Sequence, residues 1–154
     1  MVATTEELVR RLRNAFAHDL ERPPQMTLRE ADAVDSFGTV PLPHPAEDPP
    51  SAGYLNRYAW GITHLDAASW RHYLPALGEL AIQSLSQQSL AVSCLIESLR
   101  PPDRDPPRLR SLVADQECVL RELLELLASS GQSIWQREAC QALEEWWIDG
   151  ALYR

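Results

Sequence analysis

Apolar residues recur along this chain at intervals of three and four, the spacing that lines one face of a helix. The richest stretch sets Trp70, Tyr73, Leu74 and Leu77 at i, i+3, i+4 and i+7. Asp66 precedes it, placed to accept from the exposed amides of a first turn. Pro75 falls inside the stripe, where its missing N–H predicts a kink or a restart. Leu80, Ala81 and Leu85 continue the face to about Leu85. Gly78 interrupts it at a cost of about 1 kcal/mol against Ala, which predicts that another element crosses close to the backbone there.

The same periodicity predicts the other elements. A first helix spans about Thr5 to Asp19, opened by Thr4 and Glu7 and striped by Leu8, Leu12 and Phe16, with Arg10, Arg11 and Arg13 on a solvated face. Thr27 and Glu30 form a second capping box for a short helix to about Ser36. Asp32 and Asp35 lie on one acidic side of it. Tyr54, Tyr58 and Ile62 mark a helix over 54–63 that Trp60, on another face, predicts to be buried on more than one side.

Val92, Leu95, Ile96 and Leu99 stripe the next helix. Leu112 to Ser129 is the clearest of all, with Arg121 and Glu125 paired at i,i+4 on its outer face. A last helix is expected from a Ser133 cap to Gly150, with Ile134, Ala139, Ala142, Leu143, Trp146 and Trp147 inward. Trp146 and Trp147 diverge by about 100° around the axis, so one of the two is expected at an interface.

No alternating strand pattern occurs. The fold class is therefore all-α, an irregular bundle of about six or seven helices forming a single domain over 1–154. Two proline-rich segments punctuate it, a loop at 39–53 and a connection at 101–107.

Composition narrows the function classes. With 154 residues, 45% hydrophobic and five Trp, the chain can build a core without disulfides or a structural metal. Cys94, Cys118 and Cys140 are widely spaced, form no Cys-x-x-Cys pair, and read as small buried hydrophobes in a reducing compartment. No apolar run reaches the roughly 18 residues of a membrane span. Met1 to Arg13 has no signal-peptide core, so a cytoplasmic location is expected. A net charge of −8 opposes nucleic acid as a partner. All fourteen basic residues are Arg, which excludes lysine-based covalent chemistry.

The run Trp70-Arg71-His72-Tyr73-Leu74-Pro75-Ala76 resembles a family of small bacterial proteins of unknown function, whose members carry an aromatic, Arg, two aromatics and Leu-Pro-Ala after a capped turn. A helix ending in Pro101-Pro102, a Leu-rich helix and a closing Ala/Trp-rich helix follow in similar order. Asp66-Ala67-Ala68 stands where family members commonly have Thr-Pro-Glu. The resemblance implies a helical fold and carries over no catalytic residues or cofactors.

His64, Asp66 and His72 are the one close gathering of groups suited to metal or proton transfer. Asp66 reads better as a cap, and no catalytic, cofactor or metal site is assigned. There is no Gly-x-Ser-x-Gly elbow and no Gly-rich phosphate loop. The expected function is a non-catalytic, acidic protein-binding protein of the interaction, adaptor or immunity type. Its partner is expected to be another protein, a basic one if charge steers it, and a homo-oligomer stays open. The contact candidates are His44 in the proline-rich loop, His64, Arg71, His72 and Trp147. The alternative is a small-molecule site or enzyme built in an inter-helical pocket near Trp70, His72 and Tyr73.

Overall fold

The computed structural model describes residues 4–36, 38–39 and 48–154. Among them every regular element is helical: α1 (Thr5–Ala15), α2 (Ala17–Leu20), α3 (Leu28–Asp35), α4 (Ala52–Arg57), a 3₁₀ segment (Ala59–His64), α5 (Ala67–Gln83), α6 (Leu90–Ser98), α7 (Pro107–Arg110), α8 (Ala114–Ser129), α9 (Gln136–Ala142) and a π turn (Leu143–Trp147). The all-α expectation holds, and six of the α-helices have seven or more residues. Most of the expected loop at 39–53, residues 40–47 with His44 among them, lies outside the described residues.

The central element is α5. Asp66 caps it, accepting from the Ser69 amide at 3.2 Å. Trp70, Leu74 and Leu77 are fully buried and Tyr73 almost so, as the i, i+3, i+4, i+7 stripe requires. Helices α1, α2, α6, α7 and α8 all pack on it. That enclosure explains Pro75: the helix runs unbroken through it, with no restart. The apolar faces on both sides of the proline are buried, so tertiary packing outweighs the lost backbone bond. Gly78 behaves as expected, because a Cβ there would stand 2.9 Å from Leu12 Cδ1 of α1 and 3.3 Å from Leu123 Cδ2 of α8.

A closer crossing went unread in the sequence. A Cβ on Gly61 would meet the Asp32 amide nitrogen at 2.5 Å and the Leu28 carbonyl oxygen at 2.6 Å. Glycine alone lets the 3₁₀ segment lie against the α3 backbone at this distance. The α3 helix carries the complete capping box of Thr27 and Glu30. Its first amide, that of Leu28, donates to the Tyr73 hydroxyl at 3.0 Å, and the next, of Arg29, to the Tyr54 hydroxyl at 3.1 Å.

Several elements differ from the periodic reading. The first helix breaks at Phe16, whose φ of −106° and ψ of 15° end α1 and seat the ring, fully buried, in the core. The helix expected over 54–63 turns at Tyr58 into the tighter 3₁₀ segment, and this leaves Trp60 53% exposed rather than buried. A four-residue helix, α7, precedes Leu112, with Pro107 in its first turn, where the missing N–H is harmless. Ser133 does not cap α9: its hydroxyl accepts from Trp135, the helix begins at Gln136, and Ile134 faces outward.

The charged faces are more engaged than expected. Arg11 forms a two-pronged ion pair with Glu122 and Arg13 pairs with Glu79, tying α1 to α8 and α5. Arg100 grips Glu145 with two bonds of 2.8 Å. The Arg108 guanidinium donates to the Ile62 carbonyl at 2.9 Å and lies over the Trp70 ring. Arg121 and Glu125 pair at 3.0 Å on the surface of α8, as expected. Of the cysteines only Cys94 is buried; Cys118 and Cys140 are exposed, because each falls on the outward side of its helix.

A candidate binding cleft beside the first turns of α5

The sequence brings two opposite demands together at Trp70 to Tyr73. Trp70 and Tyr73 point into the core, so the residues between them must point out. Arg71 and His72 therefore emerge on the side of α5 that faces the end of α2 and the turn at Pro23-Pro24. The break at Phe16 and the short helix α2 set Asp19 opposite them.

Asp19 organises this site. Arg71 Nε donates to Asp19 Oδ1 at 3.0 Å, and the Gln116 amide donates to Oδ2 at 2.9 Å. Gln116 also donates to the Ala15 carbonyl at 3.1 Å and accepts from the Val113 amide, so it is held from both ends. His72 Nδ1 lies 2.9 Å from the Asp19 carbonyl oxygen. A carbonyl only accepts, so Nδ1 carries the hydrogen and Nε2 is left for other contacts. The His72 ring stands edge-on to Tyr73. Four helices, α1, α2, α5 and α8, thus converge on one polar network.

Outside that network is a cleft of about 280 Å³ whose lining includes His18, Arg22, Pro23, Arg71 and His72. Arg22 forms no ion pair with any described residue. His18 stands 3.7 Å from Glu21 and is largely exposed. A wider groove of about 810 Å³ lies between Pro101-Pro102 and the last residues of the chain. Of the charges that line it, Arg100 and Glu145 are joined to each other and Arg154 pairs with Glu117.

The other contact candidates go elsewhere. His64 does not join His72: its Nε2 lies 3.0 Å from Asp35 Oδ1, on the far side of α3. Nearby, burial first and Asp35 second push the Asp32 carboxyl above its ordinary range. Asp66 is a cap, so the gathering of His64, Asp66 and His72 does not assemble. Among the described residues no group of three or more His, Cys, Asp or Glu is placed to hold a metal ion.

Trp147 keeps its expected inward place and is corrected only as a contact candidate. It is buried, and its indole N–H donates to the Leu99 carbonyl at 2.8 Å. Trp146 is buried too, between the guanidinium groups of Arg110 and Arg154. Both indoles go inside because the helix loosens into the π turn here and the following segment folds back, with the Leu152 and Tyr153 amides donating to the Glu144 and Glu145 carbonyls. Trp60 and Tyr153 are the aromatic residues that stand exposed among the described residues.

Of the inter-helical pocket expected near Trp70, His72 and Tyr73, His72 lines the cleft, while Trp70 and Tyr73 are buried in the core. The Trp70 indole donates to the Ser98 hydroxyl at 3.0 Å, and the Tyr73 hydroxyl serves Leu28. Asp19, Arg22 and Gln116 were missed as site residues; their one sequence signal is polar character, of Asp19 and Gln116 on helices and of Arg22 in the bend after α2, which does not mark a site.

The family of unknown function DUF6714 matches residues 4–151. The chain belongs to this family. The match spans the four elements that build the cleft. No curated protein and no solved structure matches the chain. Among the described residues, no helix is long and apolar enough to cross a membrane.

Proposed function

We propose that this protein is a non-catalytic protein-binding module of the cytoplasm, and that the face carrying Arg22, Arg71 and His72 is its contact surface. The observation that carries this reading is the division of labour within four consecutive residues. Trp70 and Tyr73 are sealed in the core with their polar atoms occupied, while Arg71 and His72 line a surface cleft. Its rim is rigid, with Pro23 and Pro24 on one side and α5 on the other, which suits a preformed surface that meets a partner with little ordering cost.

Affinity capture of partners from the native host, with Arg22→Glu protein in parallel, tests this. Arg22 is exposed and the fold does not depend on it, so the variant keeps the helical structure. A partner held by the native protein and released by the variant supports the reading. A set of captured proteins identical for both overturns this face as the contact surface.

A further inference from the structure

Building on that reading of the surface, we infer that the cleft between the end of α2 and the first turns of α5 receives a single oxyanion, a carboxylate or phosphoryl group, carried on an acidic segment of the partner.

The chain as a whole is acidic, with 22 Asp and Glu against 14 Arg. Among the residues that line the cleft the balance is reversed, two Arg against the one carboxylate of Asp19. Two guanidinium groups, of Arg22 and Arg71, line it together with the imidazoles of His18 and His72. The acidic group within the cleft is already engaged. Both carboxylate oxygens of Asp19 are occupied, by Arg71 and Gln116, and Glu21 is exposed outside the lining, 3.7 Å from His18. Only Nε of Arg71 bonds to a described residue, so its two Nη groups keep their donors. Asp19 therefore does more than neutralise Arg71. It fixes the plane of the guanidinium and leaves the forked end, the part that matches an oxyanion in two-pronged fashion, directed away from the bond it makes.

His72 is held in the same way. Its Nδ1–H is fixed on the Asp19 carbonyl, which orients the ring at the edge of the cleft; in that tautomer Nε2 is an acceptor, so the donors to an oxyanion are those of the two arginines, and Nε2 meets only a proton that the entering group itself carries. One residue, Asp19, thus holds both cleft-lining neighbours on α5, one through its side chain and the other through its backbone. Such preorganisation is the feature that distinguishes a recognition site from a solvated patch of arginines.

The size and the surroundings limit what enters. A run of phosphates along a nucleic acid needs an extended basic track, and a chain of net charge −8 repels one beyond this small patch. A single carboxylate or phosphoryl group on a protein segment satisfies the cleft without meeting that field. Net charge alone points to a basic partner, whereas the local geometry points to an acidic point of contact.

The test uses the full chain at low ionic strength and follows the His72 ring signals by NMR. The probes are a hexaglutamate peptide, the same peptide carrying one phosphoserine, inorganic phosphate, and hexalysine. Saturable shifts with either acidic peptide, weakened at least about tenfold by Arg22→Glu and restored by Arg22→Lys, are expected. A larger response to the phosphoserine peptide assigns the phosphoryl group, and an equal response assigns carboxylates. Silence from both acidic peptides, a response to inorganic phosphate alone, an equal response to hexalysine, or shifts unchanged in Arg22→Glu would each overturn the inference. The capture experiment separates the two claims: an Arg22-dependent partner that contacts the cleft without an acidic group leaves the binding reading standing and removes this one.

Discussion

The Tyr73 hydroxyl accepts the Leu28 amide at 3.0 Å, joining the central helix to the first turn of α3 across 45 residues of sequence. Leu28 is the first residue of its helix, so its amide has no partner within the helix. Tyr73, placed in the core by its stripe, caps from outside an end that Thr27 and Glu30 cap from within. Removing the oxygen leaves that buried amide bare. Tyr73→Phe is expected to lower stability by about 1–3 kcal/mol, measured as a fall in the urea midpoint with an unchanged slope.

Gly61 and Gly78 both sit under crossing elements, but against different neighbours. A Cβ at position 61 meets backbone atoms of α3 at 2.5 and 2.6 Å, and these cannot yield without moving a helix. At position 78 it meets the ends of Leu12 and Leu123 side chains, which can adjust. Gly61→Ala is therefore expected to cost about 3 kcal/mol. Gly78→Ala should cost clearly less, because the gain in helix propensity, about 1 kcal/mol, offsets part of the crowding. Thermal unfolding of the two variants side by side checks the order.

Acid should loosen the junction between α6 and the π turn. The hydrogen bonds from Arg100 hold the Glu145 carboxyl below its ordinary 4.5, with burial acting in the opposite direction. A carboxyl depressed in the folded state contributes stability that is present above its unfolded value and lost as pH falls through the folded value. The expected signature is a decline in stability beginning near pH 4.5 and deepening below it. Glu145→Gln should reduce stability at pH 7 and flatten that decline. Denaturant titrations from pH 7 to pH 3 would reveal it; an equally steep acid limb in the variant would rule out this pair as the source.

The three thiols should divide two to one. Burial first, then the Glu97 charge, pushes the Cys94 thiol up to about 11, while Cys118 and Cys140 are exposed. Thiolate is the reactive form. A thiol reagent at pH 7.5 is expected to label Cys118 and Cys140 in the native protein, and Cys94 only after unfolding. Mass spectrometry of labelled peptides gives the count directly. Rapid native labelling of Cys94 would contradict its place in the core.

How much of this was legible in the chain depends on the range of the interaction. The caps at Thr27 and Asp66, the pair Arg121–Glu125 and the inward stripe of α5 are set within one or two turns, and they stand where the spacing puts them. Gly78 announced a crossing because glycine inside a good helix needs a reason. The cleft was legible only in half: Arg71 and His72 could be read as outward-facing, but Asp19 lies 52 residues from Arg71 and Gln116 lies 97 from Asp19.

The sequence by itself determined that the chain is all-α, which face of each long helix is apolar, and where α1, α3 and α5 begin. The reason is that periodicity and capping are local properties of the backbone. Only the tertiary structure decided that Pro75 is carried through an unbroken helix, that Trp147 is buried and Trp60 exposed, and which carboxylate each arginine meets. Those outcomes depend on which element covers which face. Two helices with equivalent stripes can be covered by quite different neighbours, and the pattern along either one contains no record of the other.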